Sequence, residues 1–249
     1  GEVISAAFDF TGTNLFASPH VIVDSGTTVT YSGNWAGNGG QAYSSVLLND
    51  NGSLKIAADA QLDFILPGSL FTRQLWVFGD GTGTLELEEG FVSDLTEDGT
   101  VGAGIGSIRF RSGSTFVTHS TESLPLGYRP DGSGGLQTNG HLGFEVEPGA
   151  RWIVDTNPQE YAGAVWIGAD LTIETAQDLT HSGETDLATD YTAANAFQTV
   201  AENVTVAKEG AGDLLFTGET AFLPGTILDV REGSVRFAND PAAGQRKSG

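Results

Sequence analysis

The sequence predicts an all-β chain folded as a parallel β-solenoid with irregular coil lengths and inserted loops, on three observations. Gly occurs 35 times in 249 residues, and Val, Ile, Thr and Phe recur in short runs bounded by Gly, Asn, Asp and Ser, which is the chemistry of strands and tight turns. The apolar 39% of the chain arrives in short pieces rather than in helical stretches. A degenerate unit also repeats along the chain, and each copy has an apolar face too small to be buried alone.

The unit is a Gly-led apolar-polar-apolar strand, a turn, and a second apolar piece. Gly52-Ser53-Leu54-Lys55-Ile56 is followed by Ala60-Gln61-Leu62-Asp63-Phe64, and Gly83-Thr84-Leu85-Glu86-Leu87 by Gly90-Phe91-Val92. Gly106-Ser107-Ile108-Arg109-Phe110 is followed by Ser114-Thr115-Phe116-Val117, and Leu142-Gly143-Phe144-Glu145-Val146 by Ala150-Arg151-Trp152-Ile153-Val154. Weaker copies occupy residues 170–174, 203–206 and 233–237. Taking Leu54, Leu85 and Ile108 as equivalent gives steps of 31 and 23 residues, so the coils differ in length through insertions.

The rest of the chain divides around these copies. Residues 1–238 read as one elongated domain. Within it, residues 1–20 form an N-terminal cap or an exchange strand, in which Val3, Phe8 and Phe10 alternate as strand addition to a neighbouring subunit requires. Residues 124–139, with Pro125, Pro130 and four glycines, predict a loop excursion. Residues 186–200 carry the one near-helical spacing, through Leu187, Tyr191, Ala194 and Phe197, and form a short helix or a long loop. Residues 239–249 read as a flexible tail.

Charge and composition remove several function classes. Eleven basic against 32 acidic residues give a net charge of −21, which lacks the basic footprint of a nucleic-acid binder and is repelled by anionic membrane surfaces. No stretch is apolar enough to insert in a membrane as a helix. With no cysteine there is no disulfide framework and no thiolate site. The absence of methionine, even at position 1, predicts a processed product.

Two stretches go beyond generic strand pattern. Val206-Ala207-Lys208-Glu209-Gly210-Ala211-Gly212-Asp213-Leu214-Leu215-Phe216, then Pro224-Gly225-Thr226-Ile227-Leu228-Asp229-Val230 and Glu232-Gly233-Ser234-Val235-Arg236-Phe237, resemble the autotransporter-associated β-strand repeat, roughly K-x-G-x-G-x-L-x-L, then T-x-V, then x-G-x-L. Val77-Phe78-Gly79-Asp80-Gly81-Thr82-Gly83-Thr84-Leu85-Glu86-Leu87 resembles the G-x-G-x-G-x-L-x-I coils of large bacterial surface β-helix proteins. The resemblance implies a right-handed parallel β-helix exported to the bacterial cell surface, of passenger or matrix type.

Candidate site residues are few. Aligned copies place Lys55, Glu86 with Glu88, Arg109 with Arg111, and Glu145 with Glu147 at outward positions with alternating sign, which predicts an ion ladder up the stack. Asn49-Asp50-Asn51-Gly52 and Asp80-Gly81-Thr82-Gly83 put oxygen donors on tight turns, so Asp50 and Asp80 are candidate Ca²⁺ ligands, although turn formation alone explains both. The histidines His20, His119, His141 and His181 are too dispersed for a metal motif and read as solvated or loop residues. Trp76, Trp152 and Trp166 lie in apolar runs and predict core packing ahead of sugar stacking. No nucleophile elbow, phosphate loop or concentrated carboxylate cluster is present, so no catalytic residue is assigned and no cofactor beyond Ca²⁺ is expected. The expected function is that of an extracellular structural or adhesive protein, self-assembling through its ends or by N-terminal strand addition. The alternative is a β-helix that binds or cleaves carbohydrate, with a surface glycan as partner.

Overall fold

Runs that alternate β-branched or aromatic residues with polar ones become strands along the whole chain. The computed structural model describes residues 2–4, 8–9, 21–36, 43–63, 72–89, 105–111, 113–118, 129–130, 136–137, 141–144, 147–161, 164–183 and 196–238. Among these residues there is no helix, and the strands form four parallel sheets and one short antiparallel pair.

A nine-stranded sheet takes Glu2–Ile4, Thr28–Tyr31, Ser53–Ile56, Thr84–Leu87, Thr115–Thr118, Ala150–Val154, Leu171–Thr175, Thr205–Glu209 and Ile227–Val230 in chain order. An eight-stranded sheet takes Val21–Val23, Tyr43–Leu48, Thr72–Gly79, Ile105–Phe110, His141–Phe144, Ala164–Ile167, Phe197–Thr199 and Thr220–Ala221, also in chain order. Between them the chain passes through a three-stranded sheet early on (Phe8–Asp9, Asn34–Ala36, Gln61–Asp63) and a four-stranded sheet later (Gln159–Tyr161, Leu179–His181, Asp213–Phe216, Ser234–Phe237). Each strand pairs in parallel with the strand one circuit on. One column of the nine-stranded sheet runs Leu54, Leu85, Phe116, Trp152, Ile173, Lys208, Val230. Its steps of 31, 31, 36, 21, 35 and 22 residues follow from those pairings. This arrangement is compatible with the irregular parallel solenoid expected from the sequence.

Three expectations change. Ile108 is not equivalent to Leu54 and Leu85: it lies on the eight-stranded sheet opposite Leu75 and Leu142, and the residue that continues the Leu54–Leu85 column is Phe116. The near-helical spacing of residues 186–200 does not make a helix at its end, because Phe197–Thr199 is a strand paired with Ala164–Ile167. Residues 184–195 lie outside the described residues. The excursion at 124–139 holds an antiparallel pair, Arg129–Pro130 with Leu136–Gln137. The tail at 239–249 lies outside the described residues.

The core is a filled interior between the sheets, because period-two alternation turns every second residue inward. Leu54, Ile56, Leu85, Leu87, Phe116, Trp152, Val154 and Ile173 come from the nine-stranded sheet, and Val46, Leu48, Val77, Phe110, Phe144, Val165, Ile167 and Phe197 from the eight-stranded one. From mid-chain onward the filling is aromatic. Phe110 stacks on Phe144 at 4.8 Å and Trp152 meets Tyr161 edge-on at 5.8 Å, while at the end of the stack the partly exposed Phe237 stacks on buried Phe216 at 5.0 Å. Each large side chain buried this way contributes roughly 1.5–3 kcal/mol. Trp152 is a core residue as expected. His181, expected to be solvated, is instead 1% exposed and packs edge-on against Phe197 at 5.6 Å. It shares the inward face of its strand with Leu179, and Thr180 between them faces outward, so the alternation overrides its polarity.

Candidate functional site

Short turns join the end of each eight-stranded-sheet strand to the next strand of the nine-stranded sheet, and Asp50 and Asp80 lie on two successive turns of this kind. The Asp50 carbonyl accepts from Gly26 N–H at 2.7 Å, and Asn51, with a positive φ of 54°, donates its N–H to Thr82 Oγ1 at 2.8 Å. Asp80 Oδ1 accepts from Thr82 Oγ1 at 2.6 Å and from Thr82 N–H at 3.0 Å. A hydrogen bond from the Asp50 carboxyl, then those from Thr82, hold Asp80 down at about 2. The same carboxyl–carboxylate bond and the Asp80 charge raise Asp50 above its ordinary value. The structure places the two Ca²⁺ candidates on neighbouring turns, near enough for each carboxyl to shift the other's pKa. Among the described residues no group of three or more His, Asp or Glu side chains converges to hold a metal.

The expected ion ladder is divided between sheets. Lys55 and Glu86 are in register on the nine-stranded sheet, with Nζ 3.0 Å from Oε2. In the next circuit, however, Glu86 faces Val117 rather than an arginine. Arg109 belongs to the eight-stranded sheet, opposite Trp76 and Gly143. Arg111, just past that strand, pairs with Glu147 at 2.9 Å and lies 5.4 Å from the centroid of the Phe78 ring. Glu88 follows the strand Thr84–Leu87 and donates its N–H to Ile56 O at 2.9 Å. Glu145 lies outside the described residues. The Gly-led alternating signature is the same on both sheets, so the spacing of its copies does not tell which of them stack on each other.

A ladder of the expected kind forms from other residues. Arg151 pairs with Glu174 and, at 3.4 Å, with Glu209. Glu209 then pairs with Arg231 at 2.6 Å, and Arg231 with Asp229 at 2.8 Å. The bond from Arg231 is the main cause holding Glu209 below the usual carboxylate range. Arg151 stood in one of the repeated copies; its stacking partners follow only from the register Ile153 to Glu174 to Glu209.

Lys208 is the residue whose role the sequence least discloses. It occupies an inward position of the nine-stranded sheet, in register with Ile173 and Val230, and is 2% exposed. Its Nζ donates to the carbonyls of Glu209 at 2.8 Å, Gly210 at 2.7 Å and Glu232 at 3.0 Å. Three convergent carbonyls match the three donors of an ammonium. Burial pushes its pKa below the ordinary lysine value, while Asp213, Glu232 and Asp178 act in the opposite direction. Gly233 completes the cradle: its φ is +70°, and a Cβ there would lie 2.8 Å from Lys208 Nζ and collide with Gly212 O. The K-x-G signal in residues 208–210 marks this corner.

The N-terminal strand pairs with its own chain. Glu2–Ile4 runs parallel to Thr28–Tyr31, and Phe8–Asp9 to Asn34–Ala36. Val3 is 67% exposed, and Phe10 lies outside the described residues.

The outer register of the eight-stranded sheet is the remaining feature. One column runs Ser45, Trp76, Arg109, Gly143, Trp166, Gln198. Trp166, expected in the core, is half-buried and falls between the inward residues Val165 and Ile167. No family model, curated protein or solved structure matches the chain.

Proposed function

We propose that the chain is a right-handed parallel β-solenoid that serves as an extracellular structural or adhesive scaffold at a bacterial cell surface and associates with copies of itself through its ends. The hand follows from the strong right-handed preference of parallel crossover connections. The observation that carries the functional reading is the distribution of exposed large apolar side chains. Among the described residues these are Val3 and Ile22 in the first circuit, and Val200, Leu223, Ile227, Val230 and Phe237 in the last two. Between them no other large apolar side chain among the described residues is exposed, and most are buried within the stack. Among the described residues the sheets also end in edge strands at both ends, and the backbone donors and acceptors of an edge strand template further pairing. End-to-end contact of this sort is heterologous and propagates into filaments rather than closed rings.

Sedimentation velocity and electron microscopy across a concentration series test this reading. Association is expected to grow with concentration and to weaken in a Val230→Ser, Phe237→Ser double variant and on deletion of residues 1–10. A chain that stays monomeric throughout refutes it.

A further inference from the structure

Charge is spread unevenly along the stack. Residues 1–54 hold four acidic residues and neither lysine nor arginine, and residues 55–207 hold 22 acidic and six basic residues. Residues 208–249 hold six acidic and five basic ones. The net charge of −21 therefore belongs almost wholly to the body of the molecule, and the C-terminal end is close to neutral.

One corner shows the change. The turns that lead from the eight-stranded to the nine-stranded sheet carry Asp24, Asp50 and Asp80 on three successive circuits, then Asp170 and Glu202 on two later ones, and all five residues are exposed. In the last circuit the same turn, residues 222–226, has no acid, and Leu223 is 40% exposed there. The arginines of that circuit are matched within the chain, Arg231 by Glu209 and Asp229, and Arg236 by Asp213 at 2.8 Å. Ile227, Val230 and Phe237 are left as its exposed apolar side chains.

Distance decides how these charges act on a second copy. Nine strands ~4.8 Å apart make the stack about 40 Å long. Two copies side by side set acidic flanks against each other, whereas two copies end to end hold the centres of their flanks about 40 Å apart. The Debye length is ~30 Å at ~0.01 M salt and ~8 Å at ~0.15 M. At the lower salt, flank repulsion reaches across an end contact as well. At the higher salt, only groups at the junction act on each other.

We infer that ionic strength gates the end-to-end association of this chain: flank repulsion holds copies apart in dilute salt, and screening lets the charge-matched, apolar last circuit dock on a second copy. This names the regulation of the scaffold proposed above and rests on that reading. Side-by-side contact stays opposed, because facing flanks lie within a screening length of ~8 Å.

Sedimentation velocity of the whole chain in ~0.01 M and ~0.15 M sodium chloride reads the association constant. It is expected to rise about tenfold with salt. A triple variant, Asp59→Asn, Glu160→Gln, Glu202→Gln, neutralises three exposed carboxylates away from the apolar contacts. It is expected to associate about threefold more tightly than the parent at ~0.01 M salt and to match it at ~0.15 M. Comparing the two chains in one buffer separates charge repulsion from salting-out, and far-UV circular dichroism confirms that the variant is folded. Association that weakens with salt or ignores it, or a triple variant no tighter than the parent in dilute salt, overturns the gate and leaves the end-to-end scaffold standing. A chain monomeric at both salts and at every concentration refutes the scaffold itself, and the gate with it.

Discussion

Replacing Lys208 by methionine keeps the buried aliphatic stem but removes all three donors from the carbonyls of Glu209, Gly210 and Glu232. A buried acceptor left unpaired costs about 1–3 kcal/mol, while losing the ammonium also removes its own desolvation penalty, so the net cost is about 3 kcal/mol. The damage is local, since in a stacked array each circuit is held mainly by its neighbours. It falls on the last circuit, because Glu232 belongs to the turn that follows Ile227–Val230. Native-state hydrogen exchange at Arg231 and Glu232 reads it directly, as their N–H groups donate to Lys208 O at 2.9 and 3.4 Å. A loss of ~3 kcal/mol should raise their opening constants about a hundredfold, with amides of the first circuits unchanged. Protection at both amides within threefold of the parent would refute the view that the ammonium clamps this circuit.

Gly233→Ala should destabilise the same corner by at least ~1 kcal/mol, because φ is positive there and the new Cβ meets Gly210 O at 2.7 Å; urea unfolding measures it. Carbon-detected titration should show Asp80 ionising near 2 and Asp50 above its ordinary value, and Asp50→Ala should move Asp80 upward by removing the largest cause of its depression. The linkage signs are opposite. The Asp80 contribution is present above its unfolded value of 3.8 and is lost as pH falls through about 2, while the raised pKa of Asp50 favours the fold at acid pH and that benefit fades as pH rises through its folded value. Glu209→Gln should cost no more than ~1 kcal/mol, since its partners are partly exposed, and the cost should shrink in molar salt. Trp152→Ala should cost about 3–5 kcal/mol by opening a cavity against Phe116, Phe144 and Tyr161, measured by thermal or urea unfolding.

The sequence by itself determined that the chain is all-β, that its strands carry one inward face, and that the circuits vary in length. Alternation such as Leu85 and Leu87 inward with Glu86 outward is a local property, readable without neighbours. The tertiary structure decided which strands lie side by side. Gly106-Ser107-Ile108-Arg109-Phe110 and Gly83-Thr84-Leu85-Glu86-Leu87 share one signature, and only parallel register shows that Arg109 stands beside Trp76 while Glu86 stands beside Lys55 and Val117. Long-range placement also decided the fate of polar residues. Lys208 can turn inward because carbonyls of its own turn and of the following circuit converge on it, and His181 because aromatic rings from several circuits enclose it. A charged or polar side chain is buried when partners from distant positions arrive together, and a period-two pattern carries no information about them.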